Sequence, residues 1–299
     1  MNQSIQQIEN QGEFVAELLD RFQLFWNVKK EKLYTGEGIE SNYYSIRRED
    51  TNQEFFAAKE GYEVFQNWEL IDMVSKIAQQ SDLSLAKGGS FHGGRKVYLK
   101  IDTGSIEGIG KNHDQIKKYI TVLNSHDGTG SLALGMTNIT MSCSNTFHRM
   151  YKEMNTRIRH SANMRDKVDL LMRGVDKIRE QEQTLYEKFY RMAATKCSVN
   201  ETVRMVQAIT GVNIETDVSD AKKLYSPNQI KKAQNLTVRI AQEQAQKGET
   251  LWGLFSGVTS YTTKDVSNRR NDMWENKMTG SAYKADNKAF DMVDKITVY

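Results

Sequence analysis

Hydrophobic positions change their period several times along this chain. Phe14, Leu18, Phe22 and Phe25 recur at spacings of four, four and three, which predicts an amphipathic helix over residues 11–25 with Asp20 and Arg21 turned to water. Met1 to Gln11 is polar and is expected to fray or run extended. From Asn42 the grain becomes β-like. Tyr43-Tyr-Ser-Ile-Arg-Arg48, a polar Glu49–Asn52 and Glu54-Phe-Phe-Ala-Ala58 predict a hairpin. Leu70, Ile71, Val74 and Ile77 then predict a helix capped near Asn67. Leu83-Ser-Leu85, the glycine run Gly88–Gly94 and Arg95–Ile101 predict a second hairpin, with the glycines as its turn. Ile101–His113, which carries Gly104, Gly108 and Gly110, is expected to be a mobile loop. Ile116–Asn124 predicts a strand that reaches an Asp127-Gly128 turn and a further run, Leu132–Leu134.

Beyond Asn145 the expected period is helical. Phe147, Tyr151, Met154 and Ile158 fall at four, three and four, predicting a helix with Arg149, Lys152 and Arg159 on another face and Arg157 and His160 near its end. Met164, Val168, Leu171, Val175, Ile178, Leu185, Phe189 and Met192 form a heptad seam in which Glu182 fills one position. Such a seam pairs within the chain or with another copy, and a lone polar position sets register or partner. Ser198-Val-Asn-Glu201 and Ser226-Pro-Asn-Gln229 are capping boxes, Gly211 and Gly248 end the helices they open, Glu249–Tyr261 is a buried helix, and Lys288 begins a last one. Arg269, Arg270 and Trp274 lie in a polar stretch between them. The reading is α+β: a mixed platform of mainly antiparallel hairpins over residues 1–145, and a helical region with one long heptad-patterned helix over residues 146–299, packed on it or continuous with it as one domain.

Composition narrows the classes. A 38% hydrophobic share with 26% charged residues describes a soluble, folded protein, and a net charge of +3 over 299 residues is too small for a global nucleic-acid signature. No run approaches the ~20 apolar residues of a membrane span. Two cysteines make no disulfide framework and suit a reducing cytoplasm.

Candidate chemistry is sparse. The glycine run lacks the Gly-Lys-Ser/Thr of a phosphate loop, so it reads as a turn, although Arg95 and Lys96 keep anion binding open. Asn124, His126 and Asp127 are the most catalytic-looking neighbours, yet adjacent strand residues face opposite ways and an Asp at a turn bonds its own backbone. Cys143, His148, His160 and Cys197 match no zinc spacing. No serine-hydrolase, metalloprotease, nucleotide or dinucleotide motif occurs, which leans against an enzyme. No metal or cofactor is expected. Basic side chains beside ring-bearing strands point elsewhere. Arg47, Arg48, Arg95, Lys96, Arg149, Lys152, Arg157 and Arg159, with Tyr98 and the neighbouring Tyr43 and Tyr44, supply cations and stackable rings, the minimum for holding a single strand at ~1–3 kcal/mol per stacked base.

The chain resembles a phage- and plasmid-borne family built on domain of unknown function 932. The resemblance rests on Trp26-Asn-Val28, Arg48-Glu-Asp-Thr51, Gly61–Asn67, Gly88–Tyr98, Asn124-Ser-His-Asp-Gly-Thr-Gly130, Cys143–Asn145, Arg159-His160, Leu251–Thr259 and Gly280. It departs at Ala57-Ala-Lys59, where the family tends to a Leu-Gly-Val type run. The resemblance implies a mobile-element protein of the bacterial cytoplasm and marks Asn124, His126, Asp127, Asn145 and His160 as a polar cluster. It implies no reaction. The leading expectation is a non-enzymatic DNA-handling protein that binds or anneals single strands as a homo-oligomer. The competing ones are a factor that inhibits or scaffolds a host defence complex and an enzyme centred on Asn124, His126 and Asp127.

Overall fold

The computed structural model describes residues 12–141, 145–150, 157–267 and 273–297. The fold is α+β, strand-rich first and helical later. Helix α1 (Glu13–Arg21) leads into β1 (Val28–Tyr34), β2 (Glu40–Arg48) and β3 (Glu54–Lys59), an antiparallel sheet in that order. Helix α2 (Asn67–Gln80) follows. Then β4 (Ser84–Phe91), β5 (Lys96–Ile109), β6 (Asp114–Ser125), β7 (Leu132–Thr140) and β8 (Thr146–Met150) form a second sheet in sequence order, with β9 (Arg157–Ile158) paired to β7. The helices after it are α3 (Val168–Ala194), α4 (Val199–Thr210), α5 (Val218–Leu224), α6 (Pro227–Lys247), α7 (Leu251–Tyr261), α8 (Met273–Met278) and α9 (Ser281–Thr297). No described helix is long and apolar enough to cross a membrane.

The chain forms two compact units. One comprises residues 1–104, 119–136 and 150–178, and the other residues 105–118, 137–149 and 179–299. The first has a core built from α1, α2 and the inner strand faces, with Leu24, Ile46, Leu70, Ile71, Val97, Leu99 and Val122 among its buried residues. In the second, Phe147, Phe189, Trp252, Phe255 and Phe290 stack edge-to-face and offset with centroids 5.0 to 6.3 Å apart. Such ring contacts add stability beyond the area they bury.

Several expectations are corrected. The segment after Asn145 is not a helix where it is described. Thr146–Met150 and Arg157–Ile158 are strands, because a four-residue apolar stripe is a short signal and pairing with β7 overrides it. Tyr151 and Met154 of the expected stripe and Lys152 of the other face lie outside the described residues, as do Met1 to Gln11, Cys143, Arg269 and Arg270. Residues 101–113 are not a loop but the second part of β5 and the turn that leads into β6. Ile101 and Ile109 are buried there, while Gly104 and Gly110 take the left-handed φ values of 67° and 74° that favour glycine. In the glycine run, Gly88 and Gly89 sit inside β4 and the turn is His92–Gly94. A Cβ on Gly88 would lie 2.6 Å from Leu99, so close packing explains that glycine. Helix α1 buries Val15, Leu18 and Leu19, whereas Phe14 and Phe25 are exposed. The last helix starts seven residues before Lys288, at Ser281.

The heptad seam turns inward. Met164, Val175 and Ile178 are buried in the first core, and Leu185, Phe189 and Met192 in the second. Side chains at 171 and 182 are not described. At those six buried positions the seam is core, and both capping boxes form as the sequence implied: Ser198 Oγ accepts from Glu201 N–H and Ser226 Oγ from Gln229 N–H.

Candidate functional site

The site grows from the start of α2. Gln66 uses its side-chain amide as a strand would, accepting from Val28 N–H and donating to Val28 carbonyl at 2.9 Å each. Next to it, Asn67 Nδ2 donates to the Leu24 and Trp26 carbonyls at 3.2 and 3.0 Å. Its Oδ1 is left as an acceptor and lies 3.1 Å from His126 Nε2. That network sets the imidazole tautomer: Nε2 carries the proton and donates. The ring is wholly buried, edge-on to Trp26 at 5.7 Å and stacked with Phe55 at 6.2 Å. Burial, reinforced by His160 and opposed by Asp127, pushes its pKa down to about 3. His126 is thus a neutral core group and no solvent-reaching base.

The turn that follows is held by its own polar groups. Asp127 Oδ1 accepts from Ser125 Oγ and Thr129 Oγ1 at 2.6 Å and from Thr129 N–H at 3.0 Å. Burial works against the carboxylate, but these hydrogen bonds and the Lys96 charge outweigh it and hold the pKa below the ordinary value. Gly128 has φ 71°, and a Cβ there would meet Phe56 at 2.6 Å. A Gly128→Ala protein is expected to lose about 1–2 kcal/mol in chemical denaturation, from left-handed strain plus displacement of the Phe56 ring.

Around this turn the other motif residues assemble. Asn124 Nδ2 donates to Phe65 carbonyl at 3.1 Å and Tyr62 hydroxyl to Ser125 carbonyl at 3.2 Å. His160 donates through Nδ1 to Glu63 carbonyl at 3.0 Å, lies stacked on Tyr62 at 5.2 Å, and has its pKa lowered by burial. Arg165 fixes the segment behind it, donating to Glu69 at 2.7 and 3.2 Å and to Glu63 at 3.2 Å. The result is an open concavity of about 440 Å³, lined by Phe56, Tyr62, Gly128–Ser131, Arg157, Arg159 and His160. Its volume falls within the range of small-ligand sites. Arg157 and Arg159 are exposed, two residues apart at β9 and just beyond it, so they leave the backbone on the same side.

Many of the residues expected to bind nucleic acid are engaged within the chain. Arg47 pairs with Glu31. Arg48 pairs with Asp50 at 2.6 Å, donates to Gly93 carbonyl at 3.1 Å and covers Trp26 at 4.3 Å. Arg95 donates to the Phe55 and Glu54 carbonyls. Arg149 pairs with Asp291 at 3.2 Å and lies 4.6 Å over Phe290, in the second unit. Tyr98 stacks on Phe91 at 4.9 Å, and Tyr44 is covered by Lys30 and Lys32 at 4.8 and 4.5 Å, which leaves Tyr43 as the exposed ring of that group. Lys96 places its charge near Asp127 and helps to keep that carboxylate ionised. Of the polar cluster, Asn124, His126, Asp127 and His160 come together; Asn145 belongs to the second unit, where Nδ2 donates to Glu243 at 3.0 Å. His148 also lies there, its Nδ1 2.8 Å from the Thr137 hydroxyl. Among the described residues no group of His, Cys, Asp and Glu is placed to hold a metal ion. Phe56 was not legible as a site residue, because nothing local marks residues about 70 to 100 positions apart as neighbours.

A family model described as a domain of unknown function (DUF932) matches residues 57–284. That span contains Tyr62, Asn67, the 124–130 turn and Arg157–His160. No curated protein and no solved structure matches the chain.

Proposed function

Because this chain belongs to the family of the domain of unknown function DUF932, which carries kinship and no reaction, we propose from its own geometry that it is a non-enzymatic DNA-handling protein of a mobile element, and that it binds single-stranded DNA at the concavity of Tyr62, Arg157 and His160. One observation carries the reading: two exposed arginines line the same concavity as an aromatic cluster (Phe56 edge-on to Tyr62 at 5.0 Å, Tyr62 stacked on His160 at 5.2 Å) and an open turn of small residues. The guanidinium groups suit phosphate oxygens. The rings and the concave shape suit an unpaired base, which a paired duplex does not present. His126, fully buried, supports a binding role over a catalytic one.

Fluorescence anisotropy with a labelled single-stranded oligonucleotide tests this. Salt-dependent binding is expected in the wild type. An Arg157→Ala/Arg159→Ala protein should bind at least about tenfold more weakly, since each charge-assisted contact contributes about 1.5–3 kcal/mol. Its slope of log K against log salt should also be shallower by about 1.4, two phosphate contacts fewer on a single strand. Equal affinity and slope for both proteins would remove the concavity from the account.

A further inference from the structure

Two surface features in different parts of the chain are complementary. The first is a projecting ribbon. Strand β3 pairs with β2 only as far as Tyr43, so residues 34–42 continue as a two-stranded arm of β1 and β2. A tight turn closes it: Thr35 N–H donates to Ile39 carbonyl at 2.8 Å and Gly38 N–H to Thr35 carbonyl at 2.9 Å. The Lys32–Glu40 pair at 2.7 Å ties its strands. At the tip, Tyr34 and Ile39 are 61% and 60% exposed, with exposed Glu37 between them. An isolated two-stranded ribbon is marginally stable in water, and large apolar groups at its tip mark a contact surface.

The second feature is an apolar groove of about 510 Å³ between α5, α6 and the connection before them. Val212 and Ala233 are buried at its floor, while Val218 and Val238 on its walls are 73% and 54% exposed. Lys222 lines it. Exposed Lys231 lies seven residues before Val238 on α6 and so shares its side of the helix. The opposite charge sign, Glu215 and Asp217, sits at the N-terminal end of α5.

We propose that the arm tip of one copy docks in the α5–α6 groove of a second copy. Tyr34 and Ile39 fill the apolar cleft, and Glu37 faces Lys222 and Lys231. The acidic tip makes nucleic acid the wrong occupant, since phosphates would meet Glu37 and Glu40. Because the two surfaces differ, the contact is heterologous, and repetition gives a ring or a filament rather than a two-fold dimer. The inference stands independently of DNA binding.

Mass photometry and sedimentation velocity on the full chain at micromolar concentration provide the test. The wild type should form assemblies larger than a dimer. Tyr34→Ser/Ile39→Ser in the arm, or Val218→Ser/Val238→Ser in the groove, should weaken association at least tenfold; all four side chains are exposed, so circular dichroism should stay unchanged. Mixing the arm variant with the groove variant should yield dimers that go no further, since one intact arm then meets one intact groove. Glu37→Lys should abolish assembly, and adding Lys222→Glu to the same chain should restore it. A wild type that stays monomeric overturns the proposal, as does assembly indifferent to these variants, or a mixture of the two monomeric variants that fails to pair.

Discussion

Replacing Lys277 with methionine is expected to destabilise the protein by about 3–5 kcal/mol, the largest single effect foreseen, because it strands a carboxylate in the core. Lys277 and Asp286 are almost wholly buried and 2.5 Å apart. Thr262, at the start of a π-helical stretch from Thr262 to Ser267, donates to Asp286 at 2.6 Å and accepts from Lys277 at 2.8 Å. Burial lowers the Lys277 pKa and pushes Asp286 up to about 6, with the ammonium restraining the carboxyl from rising further. In the Lys277→Met protein that restraint is gone, and a carboxyl whose folded pKa exceeds its unfolded value loses stability as pH rises through the folded value. Urea denaturation should therefore show a larger deficit at pH 8 than at pH 5.5. A deficit below 1 kcal/mol at both would mean that the pair is solvated in solution.

The second large effect belongs to His126. At pH 7, His126→Ala should lose about 2–4 kcal/mol, from a cavity beneath Trp26 and Phe55 and an unpaired Asn67 oxygen. The pH dependence has a definite sign. With the folded pKa down at about 3, the unfolded chain takes up a proton near pH 6.5 while the folded chain does not. Stability due to this group is present above 6.5 and falls as pH drops toward 3. Between pH 7 and pH 5 the loss should be about 2 kcal/mol. His160, also lowered by burial, adds in the same direction. The alanine protein should show the shallower acid dependence, measured by denaturant midpoints across that range. An equally steep wild type and variant would place the imidazole in contact with water.

What could be read from the chain follows where local signals were strong. The Tyr43–Ala58 hairpin, the helix after Gln66, the strand ending at Asn124, the Asp127-Gly128 turn and the two serine capping boxes each carry a period or turn chemistry that acts within a few residues. Other parts were hidden for identifiable reasons. Glycines at 104, 108 and 110 imitate a loop although they lie in or beside strands. Strand β1, Val-Lys-Lys-Glu-Lys-Leu-Tyr, is too polar to look like one. Thr146–Met150 satisfies a helical spacing while pairing in the second sheet. For the site, Arg157, Arg159 and His160 were recognisable as residue types, but were expected on a helix, whereas Arg157–Ile158 is a strand. Arg47, Arg48 and Arg95 looked equally suited to phosphate until the fold supplied Glu31, Asp50 and backbone carbonyls as their partners. Charge is a property of sequence, whereas availability of charge is a property of packing.

Photo-cross-linking tests most directly whether the concavity holds a single strand. An oligonucleotide carrying 5-iodouracil, irradiated with the full-length protein and followed by peptide mapping, should mark the peptides that contain Phe56, Tyr62 and His160. The yield should fall in the Arg157→Ala/Arg159→Ala protein. Cross-links confined to other aromatics, such as Tyr43 or Tyr98, or labelling at Tyr62 that is indifferent to the two arginines, would contradict it.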